Sequence, residues 1–257
     1  MCMKKFVHSR ACPFRNMPGP MPGYYYTEKD GFKVAKECDC HIQWRKQNAL
    51  DIKLKNAGLE ADFTFDDYRG EKSLASFQAL KEFTDNFQKY AYKTMLYMYG
   101  PNGTMKTSMA QACGKQLIEN GYTVKYILMN TLLNNLVKSF NDPNQDLKDA
   151  FIQQCLNVDL LIIDECFDRS KVTLYSTGYQ LPFLDSFLRS RFEMGKKPIL
   201  FISNKRPDQI EQEGFGPSIE SLVKRNTQSS TLEFLDSWTD NANQIDKLGL
   251  FKGAVNG

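Results

Sequence analysis

Residues 100–107 read GPNGTMKT, after a short apolar run, KTMLYMY, and at the start of a helix-compatible segment. Gly-rich turns between a strand and a helix bind phosphate, because backbone N–H groups and the positive helix N-terminus face the same anion. The usual pattern of such loops, GxxxxGK[ST], has a second glycine directly before the lysine. Met105 occupies that position here, so the loop alone leaves a working site, a disabled site and a coincidence open.

The loop supplies most of the candidate nucleotide-binding residues. Gly100 and Gly103 allow the backbone to turn its N–H groups toward a phosphate, and Lys106 is expected to neutralise the β- and γ-phosphates of ATP or ADP. Thr107 is expected to hold Mg²⁺. The full predicted nucleotide-binding set is Gly100, Pro101, Asn102, Gly103, Thr104, Met105, Lys106, Thr107, Ser108 and Asp164.

Two further patterns put polar side chains where buried strands end. VDLLIIDE ends in Asp164 and Glu165, and KPILFISN ends in Asn204. The carboxyl ends of parallel strands are where open α/β sheets bind ligands, and adjacent carboxylates there require cationic partners. We expect Asp164 to hold Mg²⁺, directly or through water. Glu165 is expected to polarise the attacking water, and Asn204 to orient water or the γ-phosphate. The series favours a working site over a coincidence.

The chain from about residue 62 onward alternates apolar strands with amphipathic helices. Continuous apolar strands separated by helices predict an α/β fold, in which a parallel sheet is covered by helices on both faces. The predicted strands are KTMLYMYG, YTVKYILMN, VDLLIIDE, KPILFISN and STLEFLDSW.

Composition excludes several classes of protein. The 257 residues are 42% hydrophobic with a net charge of +3, so the chain is neither disordered nor a polycation. No apolar run approaches the roughly 20 residues of a membrane helix, and the N-terminus lacks the apolar core of a signal peptide. A cytoplasmic location is therefore expected. Seven cysteines spread along the chain do not form a disulfide framework.

Residues 1–60 differ from the remainder in composition. They contain eleven Lys or Arg against six Asp or Glu, a hairpin signal at Asp30-Gly31, and a basic helical run from His41 to Asn56. Such a run is either a solvated helix face or a surface for a protein or nucleic-acid partner.

The order of these patterns resembles that of AAA+ ATPases, with Gly100–Thr107 as Walker A, Leu160–Glu165 as Walker B and Asn204 as the sensor 1 residue. Within that superfamily the chain is similar to the DnaC/DnaI/IstB group of bacterial and phage helicase loaders and transposition helpers. The similarity extends over nearly the whole chain and includes LDSFLRSRFEMGKKPILFISN and SIESLVKRN followed by TLEFLDSW.

The resemblance implies three parts. Residues 1–60 form a helicase-interaction region with a basic linker helix, residues 61–238 an AAA+ P-loop core, and residues 239–257 a polar tail in place of a lid domain. It further implies an arginine finger at Arg225, which acts in catalysis on a neighbouring subunit's ATP after self-association. Lys224, Arg189 and Arg191 are rival candidates. Candidate DNA contacts are Lys171, Tyr175 and Tyr179.

The function implied is that of a slowly hydrolysing ATPase that loads a hexameric replicative helicase onto single-stranded DNA. The protein is expected to act in the bacterial cytosol and to be encoded by a bacterium or a phage. Two alternatives stay open. One is an IstB-like transposition helper that acts on duplex DNA. The other is an adaptor or inhibitor that binds the helicase, in which Met105 blocks productive nucleotide binding.

The group often carries a zinc-binding N-terminus with two CxxC-like pairs, and this chain departs from that pattern. Cys12 stands alone, and the second pair is Cys38-Asp-Cys40. Zinc takes four N or S ligands in a tetrahedron, so His8, His41 or Cys2 has to be the fourth; we favour His8. The alternative is a set of free thiols left from a degenerate site.

Overall fold

The computed structural model describes residues 6–60, 63–72, 74–92, 94–141, 146–175 and 178–235. The chain divides after Lys53 into two compact units. The expected polar tail, residues 239–257, lies outside the described residues, and the division into three functional parts stays a prediction.

The first unit contains the predicted hairpin. Strands β1 (Tyr24–Lys29) and β2 (Phe32–Glu37) pair antiparallel. Asp30 and Gly31 have φ of +53° and +79°, the left-handed values that a tight two-residue hairpin turn needs. Helix α1 (Asp39–Ala57) follows, in agreement with the predicted basic helix.

The second unit is built on five parallel strands. They are β3 (Met95–Tyr99), β4 (Val124–Leu128), β5 (Leu160–Asp164), β6 (Ile199–Ser203) and β7 (Thr231–Glu233). Their spatial order is β4-β5-β6-β3-β7, so β6 lies between the strand before the phosphate loop and the strand that ends in Asp164. The predicted α/β class is confirmed, although the last strand is shorter than its sequence pattern.

Helices cover both faces of this sheet. They are α2 (Ala75–Asp85), α3 (Phe87–Tyr90), α4 (Lys106–Glu119), α5 (Met129–Asn141), α6 (Asp146–Asn157), α7 (Gln180–Arg189) and α8 (Pro217–Thr227), with a π-helical turn at Ser190–Met194 and 3-10 turns at Phe65–Asp67 and Pro207–Gln209. Helix α4 packs on β4, β5 and β6, whereas α8 packs on β3. Asn86, with φ of −113°, separates α2 from α3. None of the described helices is long and apolar enough to cross a membrane.

Strand residues alternate between two apolar layers. Tyr97, Ile163 and Phe201 belong to one buried cluster together with residues of α5, α7 and α8. On the other face the helix α4 backbone approaches closely, since a Cβ on Gly114 would lie 3.1 Å from Cδ1 of Ile162. Burial on both faces explains why these strands read as continuous apolar runs.

The structure excludes Arg191, a rival candidate, as an arginine finger. Its side chain is fully buried, and its guanidinium donates to the backbone oxygens of Cys155, Leu156, Val158 and Pro198 at 2.8–3.0 Å. Burial lowers the pKa of Arg191 to about 10. A side chain enclosed in this way ties the end of α6 to the start of β6 and cannot reach a second subunit.

Candidate nucleotide-binding site

The phosphate loop begins at a glycine that no other residue can replace without movement of the backbone. Gly100 has φ of +152°, and a Cβ at this position would lie 1.9 Å from the backbone oxygen of Phe234. The amide of Phe234 donates to the oxygen of Tyr99 at 2.8 Å. The loop therefore leaves β3 directly against the end of β7.

Met105 occupies the left-handed backbone region, with φ of +61° and ψ of +19°, immediately before α4 begins. A left-handed conformation costs a side-chain-bearing residue roughly 1–2 kcal/mol, and glycine avoids this cost. This is the physical reason for the second glycine of the usual motif. Because the backbone of Met105 makes the same turn, the loop keeps its course despite the substitution.

Lys106 lies at the base of the loop and is 6% exposed. Its ammonium donates to the oxygens of Gly100 and Pro101 at 2.8 and 2.7 Å and to Thr104 Oγ1 at 3.2 Å. Burial lowers the pKa of Lys106 to about 8, and the Asp164 carboxylate offsets only part of that effect. The loop thus holds a cation whose charge is sensitive to a neighbouring anion.

Asp164 and Thr107 meet as predicted. Thr107 Oγ1 donates to Asp164 Oδ2 at 2.7 Å, and the amide of Glu165 donates to Oδ1 at 2.6 Å. Asp164 is 4% exposed, so its carboxylate is fixed at the end of β5. A hydroxyl and a carboxylate oxygen side by side form the oxygen-rich donor set that Mg²⁺ prefers, and the residues present fit that ion.

Glu165 also has a left-handed backbone, with φ of +55°, and Phe167 follows with φ of +54°. The Glu165 side chain is about two-fifths exposed, and its Oε1 lies 3.5 Å from Lys171 Nζ. Lys171, a candidate DNA contact, forms an ion pair with the predicted catalytic carboxylate in this structure. Backbone strain of this kind concentrates at ligand sites.

Asn204 directs its amide at a carboxylate that the sequence analysis did not select. Asn204 Nδ2 lies 3.4 Å from Asp168 Oδ2, and Asp168 is almost fully buried. Although burial acts to raise the pKa of Asp168, hydrogen bonds from Ser170 and Asn204 hold it below the usual value. The signal for Asp168 was present in DECFD, where a third carboxylate follows the strand-end pair after Cys166 and Phe167.

One cleft of about 260 Å³ collects most of the predicted residues. Its lining includes Asn102, Gly103, Thr104, Met105, Lys106, Thr107, Asp164, Glu165 and Asn204, with Asp168 and Lys171 added by the structure. Gly100 and Pro101 border it through their bonds to Lys106. Ser108 instead lines an adjacent cavity of about 620 Å³, with Phe63, Asp66, Asp67, Tyr68, Arg69, Gly103 and Met105. Gly103 and Met105 line both spaces.

This arrangement agrees with comparisons to known proteins. The bacterial DnaA ATPase domain family matches residues 59–214, which is more than half of the chain. The chain belongs to this AAA+ family. This match confirms the resemblance to AAA+ ATPases. DnaC and DnaI structures share the fold of the chain.

Two curated relatives illustrate the range of the family. The chromosomal replication initiator DnaA of Latilactobacillus sakei is 29% identical over 160 residues, which cover 61% of this chain and 33% of the relative. The replicative helicase loader DnaC of Buchnera aphidicola is 36% identical over 87 residues, which cover 34% of this chain and 35% of the relative. The chain thus spans about a third of the length of either protein.

Two solved structures share the fold. A replication initiator DnaA bound to AMPPCP and single-stranded DNA superposes with a TM-score of 0.58 at 20% identity, covering 77% of this chain and 58% of that chain. A DnaC helicase loader superposes with a TM-score of 0.53 at 18% identity, covering 68% of this chain and 97% of that chain.

Arg225 lies outside the cleft of this AAA+ chain. It is on α8, its side chain is 63% exposed, and its Nη2 lies 2.9 Å from Glu193 Oε1. Glu193 also accepts from Arg189, which in addition pairs with Asp185. Lys224 pairs with Glu220 on the same helix. Tyr175 and Tyr179, the other candidate DNA contacts, are exposed.

The first unit of the chain holds a compact cluster of the predicted zinc ligands. His8 Nδ1 lies 3.3–3.6 Å from the sulfur atoms of Cys12, Cys38 and Cys40. The Cys40 sulfur lies 3.2 Å from that of Cys38 and 3.4 Å from that of Cys12. His41, the rival ligand, pairs with Glu37 at 2.6 Å, and Cys2 lies outside the described residues.

Met105 should respond to substitution according to backbone conformation. We expect Met105→Ile to lose at least about 1 kcal/mol of unfolding free energy and to weaken nucleotide binding, because a β-branched residue tolerates the left-handed region worst. Met105→Gly should bind nucleotide at least as tightly as the parent. Urea unfolding and nucleotide titration test this, with exposed Met194→Ile as the control. Equal stability and affinity for the Ile variant would contradict the prediction.

Nucleotide affinity should depend on pH through Lys106. Phosphate raises the pKa of a contacting ammonium, so binding takes up a proton once the pH exceeds the free-protein pKa of about 8. Affinity should be flat below that value and fall by up to about tenfold per pH unit above it. Binding titrations across this range test the prediction, and Lys106→Met should bind weakly without the dependence. A flat wild-type profile would contradict it.

Proposed function

We propose that this chain is an ATP-dependent helicase loader that assembles a hexameric replicative helicase on single-stranded DNA in the bacterial cytosol. The convergence of Lys106, Thr107, Asp164, Glu165 and Asn204 on one cleft is the observation that supports the ATPase part. The loader part is supported by the 36% identity to a replicative helicase loader. DnaA initiators match a longer stretch of the chain, so an initiator-like role is the second candidate.

In this proposal the phosphates of ATP lie in the cleft and its base lies in the adjacent cavity. Loop amides and the start of α4 face the phosphates, and Lys106 adds a positive charge. Phe63 and Tyr68 give the neighbouring cavity two aromatic side chains against which a purine can pack. The side chain of Met105 then lies between phosphates and base, where it lines both spaces without closing either.

The chemistry is hydrolysis of the γ-phosphate. Thr107 and Asp164 would hold Mg²⁺, which when bound neutralises the charge on the phosphates. Glu165 orients and polarises a water for attack, and Asn204, fixed by Asp168, offers an amide to the same region. Because Glu165 forms an ion pair with Lys171, its carboxylate is less available to polarise water, which is compatible with a slow basal rate of hydrolysis.

Arg225 supplies the remaining charge in trans. Arg225 is exposed and does not line the cleft of its own chain, which supports a role at a neighbouring subunit after self-association. Arg225 forms an ion pair with Glu193, and breaking an exposed ion pair of this type to form another costs little free energy. Lys171, Tyr175 and Tyr179 remain proposed contacts to single-stranded DNA.

Three substitutions separate binding, chemistry and assembly. Lys106→Ala should abolish nucleotide binding, whereas Glu165→Gln should keep binding and lose about 10²–10⁴-fold in turnover. Arg225→Ala should keep binding but lose about 10³-fold or more in the assembled state, with Lys224→Ala as the matched control. Steady-state ATPase and nucleotide titration measure these effects. Identical background rates for wild type and all variants would favour the adaptor or inhibitor.

The loader assignment is tested by mass. Native mass spectrometry or light scattering of the chain mixed with a hexameric replicative helicase should give an ATP-dependent complex, which then deposits the helicase on single-stranded DNA. Lys106→Ala should not sustain that cycle. Binding to duplex origin DNA without a helicase complex would favour the initiator-like role, and activation of a transposase on duplex DNA would favour the transposition helper.

We further propose that His8, Cys12, Cys38 and Cys40 bind Zn²⁺. Zinc bonds of about 2.3 Å to sulfur and 2.0–2.1 Å to nitrogen imply ligand-to-ligand distances of roughly 3.5–3.8 Å in a tetrahedron of one nitrogen and three sulfurs. Five of the six distances among these ligand atoms are 3.2–3.6 Å, and all lie within 4.8 Å. The first unit has few buried side chains, so a metal would supply much of its folding energy.

Metal analysis of the purified chain should give one zinc per molecule. His8→Gln and Cys40→Ser should lose it, while His41→Gln, the matched control, should keep it. Chelation should abolish the circular dichroism of the hairpin and increase proteolysis within residues 1–53, with little effect on nucleotide binding. Absence of zinc, with folding unchanged after chelation, would rule out the site.

A further inference from the structure

Tyr126 is a half-buried residue of β4, and its hydroxyl contacts the candidate Mg²⁺ ligand Asp164. It lies in the middle of β4, opposite Ile162 of β5, while Leu128 is opposite Asp164. The Tyr126 ring therefore extends along the strand toward the carboxyl end of the sheet. Its hydroxyl donates to Asp164 Oδ2 at 2.7 Å, the same oxygen that accepts from Thr107.

Three groups donate hydrogen bonds to the Asp164 carboxylate, and they differ in their other roles. The amide of Glu165 holds Oδ1, so it fixes one side of the carboxylate. The Thr107 oxygen is itself a candidate metal ligand. Tyr126 is thus the donor to Oδ2 that is not required by the metal or by the backbone.

Tyr126 is placed as a hydrogen-bond donor to the carboxylate. Its side chain is half-buried, and a carboxylate oxygen can only accept from its hydroxyl. Buried tyrosine hydroxyls require a partner, and in this strand the partner is the one carboxylate that ends the neighbouring strand. Phenylalanine would fill the same space and leave Oδ2 with one donor fewer.

We propose that Tyr126 is a positioning residue for the Mg²⁺ site, holding the Asp164 carboxylate in the orientation that binds the metal. The inference rests on the proposed Mg²⁺-dependent nucleotide binding. Hydrogen bonds to ligating carboxylates tune metal affinity, and their loss costs about 10–100-fold. Tyr126 is expected to act on the metal and not on the phosphates, which Lys106 and the loop amides contact.

The test is a Mg²⁺ titration of fluorescent ATP-analogue binding by Tyr126→Phe. We expect the Mg²⁺ midpoint to rise about tenfold or more, with nucleotide affinity in EDTA unchanged. Tyr122→Phe is the matched control, since Tyr122 precedes the same strand and packs edge-on against Phe87 with ring centres 4.7 Å apart. A midpoint for Tyr126→Phe equal to that of the wild type would overturn the proposal.

A double-mutant comparison distinguishes positioning from a general packing effect. In an Asp164→Asn background, Tyr126→Phe should not change the Mg²⁺ midpoint further, because the carboxylate it orients is gone. Thermal unfolding in EDTA reports folding, and Tyr126→Leu provides a second replacement if the Phe variant is unstable. If wild-type nucleotide binding does not respond to Mg²⁺, the proposed function and this inference both fail. If wild-type binding responds but Tyr126→Phe leaves the Mg²⁺ midpoint unchanged, the inference alone fails.

Discussion

Parallel pairing of β6 with both β3 and β5 is the constraint on which the site depends. The three strands end at one edge of the sheet, so the phosphate loop, Asn204 and the Asp164–Glu165 pair all emerge there. Residues more than fifty positions apart in sequence thus become hydrogen-bonding partners, as in the 2.7 Å bond between Thr107 and Asp164. The two apolar layers that flank the strands supply the energy that holds this edge in register.

Backbone strain around the cleft is carried by that rigid frame. Met105, Glu165 and Phe167 all have left-handed backbones without being glycine. At roughly 1–2 kcal/mol each, these conformations persist only where the surroundings fix them. The Phe167 ring is packed between aromatic neighbours, and the amide of Cys166 is bound to the oxygen of Ile202 at 2.8 Å. The core therefore determines the direction of the Glu165 side chain, and the exposed pair with Lys171 adjusts it.

The sequence was sufficient for the fold class and for most of the cleft, because both are encoded locally. Apolar runs predict the strands, and polar residues at their ends predict Lys106, Thr107, Asp164, Glu165 and Asn204. What it could not supply depends on which strands are neighbours. Tyr126 lies on β4, the strand that follows β3 in sequence, and only the pairing of β4 with β5 brings its hydroxyl to Asp164.

The candidate arginine fingers also show that tertiary neighbours cannot be predicted from the sequence alone. The resemblance favours Arg225 as the arginine finger, but Arg189 and Arg191 stay rivals from sequence, since a charged residue every few positions is ordinary on a helix. The interruption of α7 by a π-helical turn at Ser190–Met194 coincides with the burial of Arg191, whereas Arg189 and Arg225 both contact Glu193 on the surface.

Three cations of the second unit are therefore distinguished by environment. Arg191 is enclosed by carbonyl oxygens and serves packing; Lys106 is buried but borders a cleft and keeps a pKa of about 8; Arg225 is exposed beside one carboxylate. The carbonyl oxygens around Arg191 leave no room for a ligand. The exposed charge of Arg225 is accessible to a partner molecule. Only the intermediate case, a desolvated cation at the edge of a cavity, gains strongly from an incoming phosphate, because the anion restores the charge stabilisation that burial removed. This gradation, and not the count of basic residues, explains why a chain of net charge +3 can concentrate anion binding at one loop.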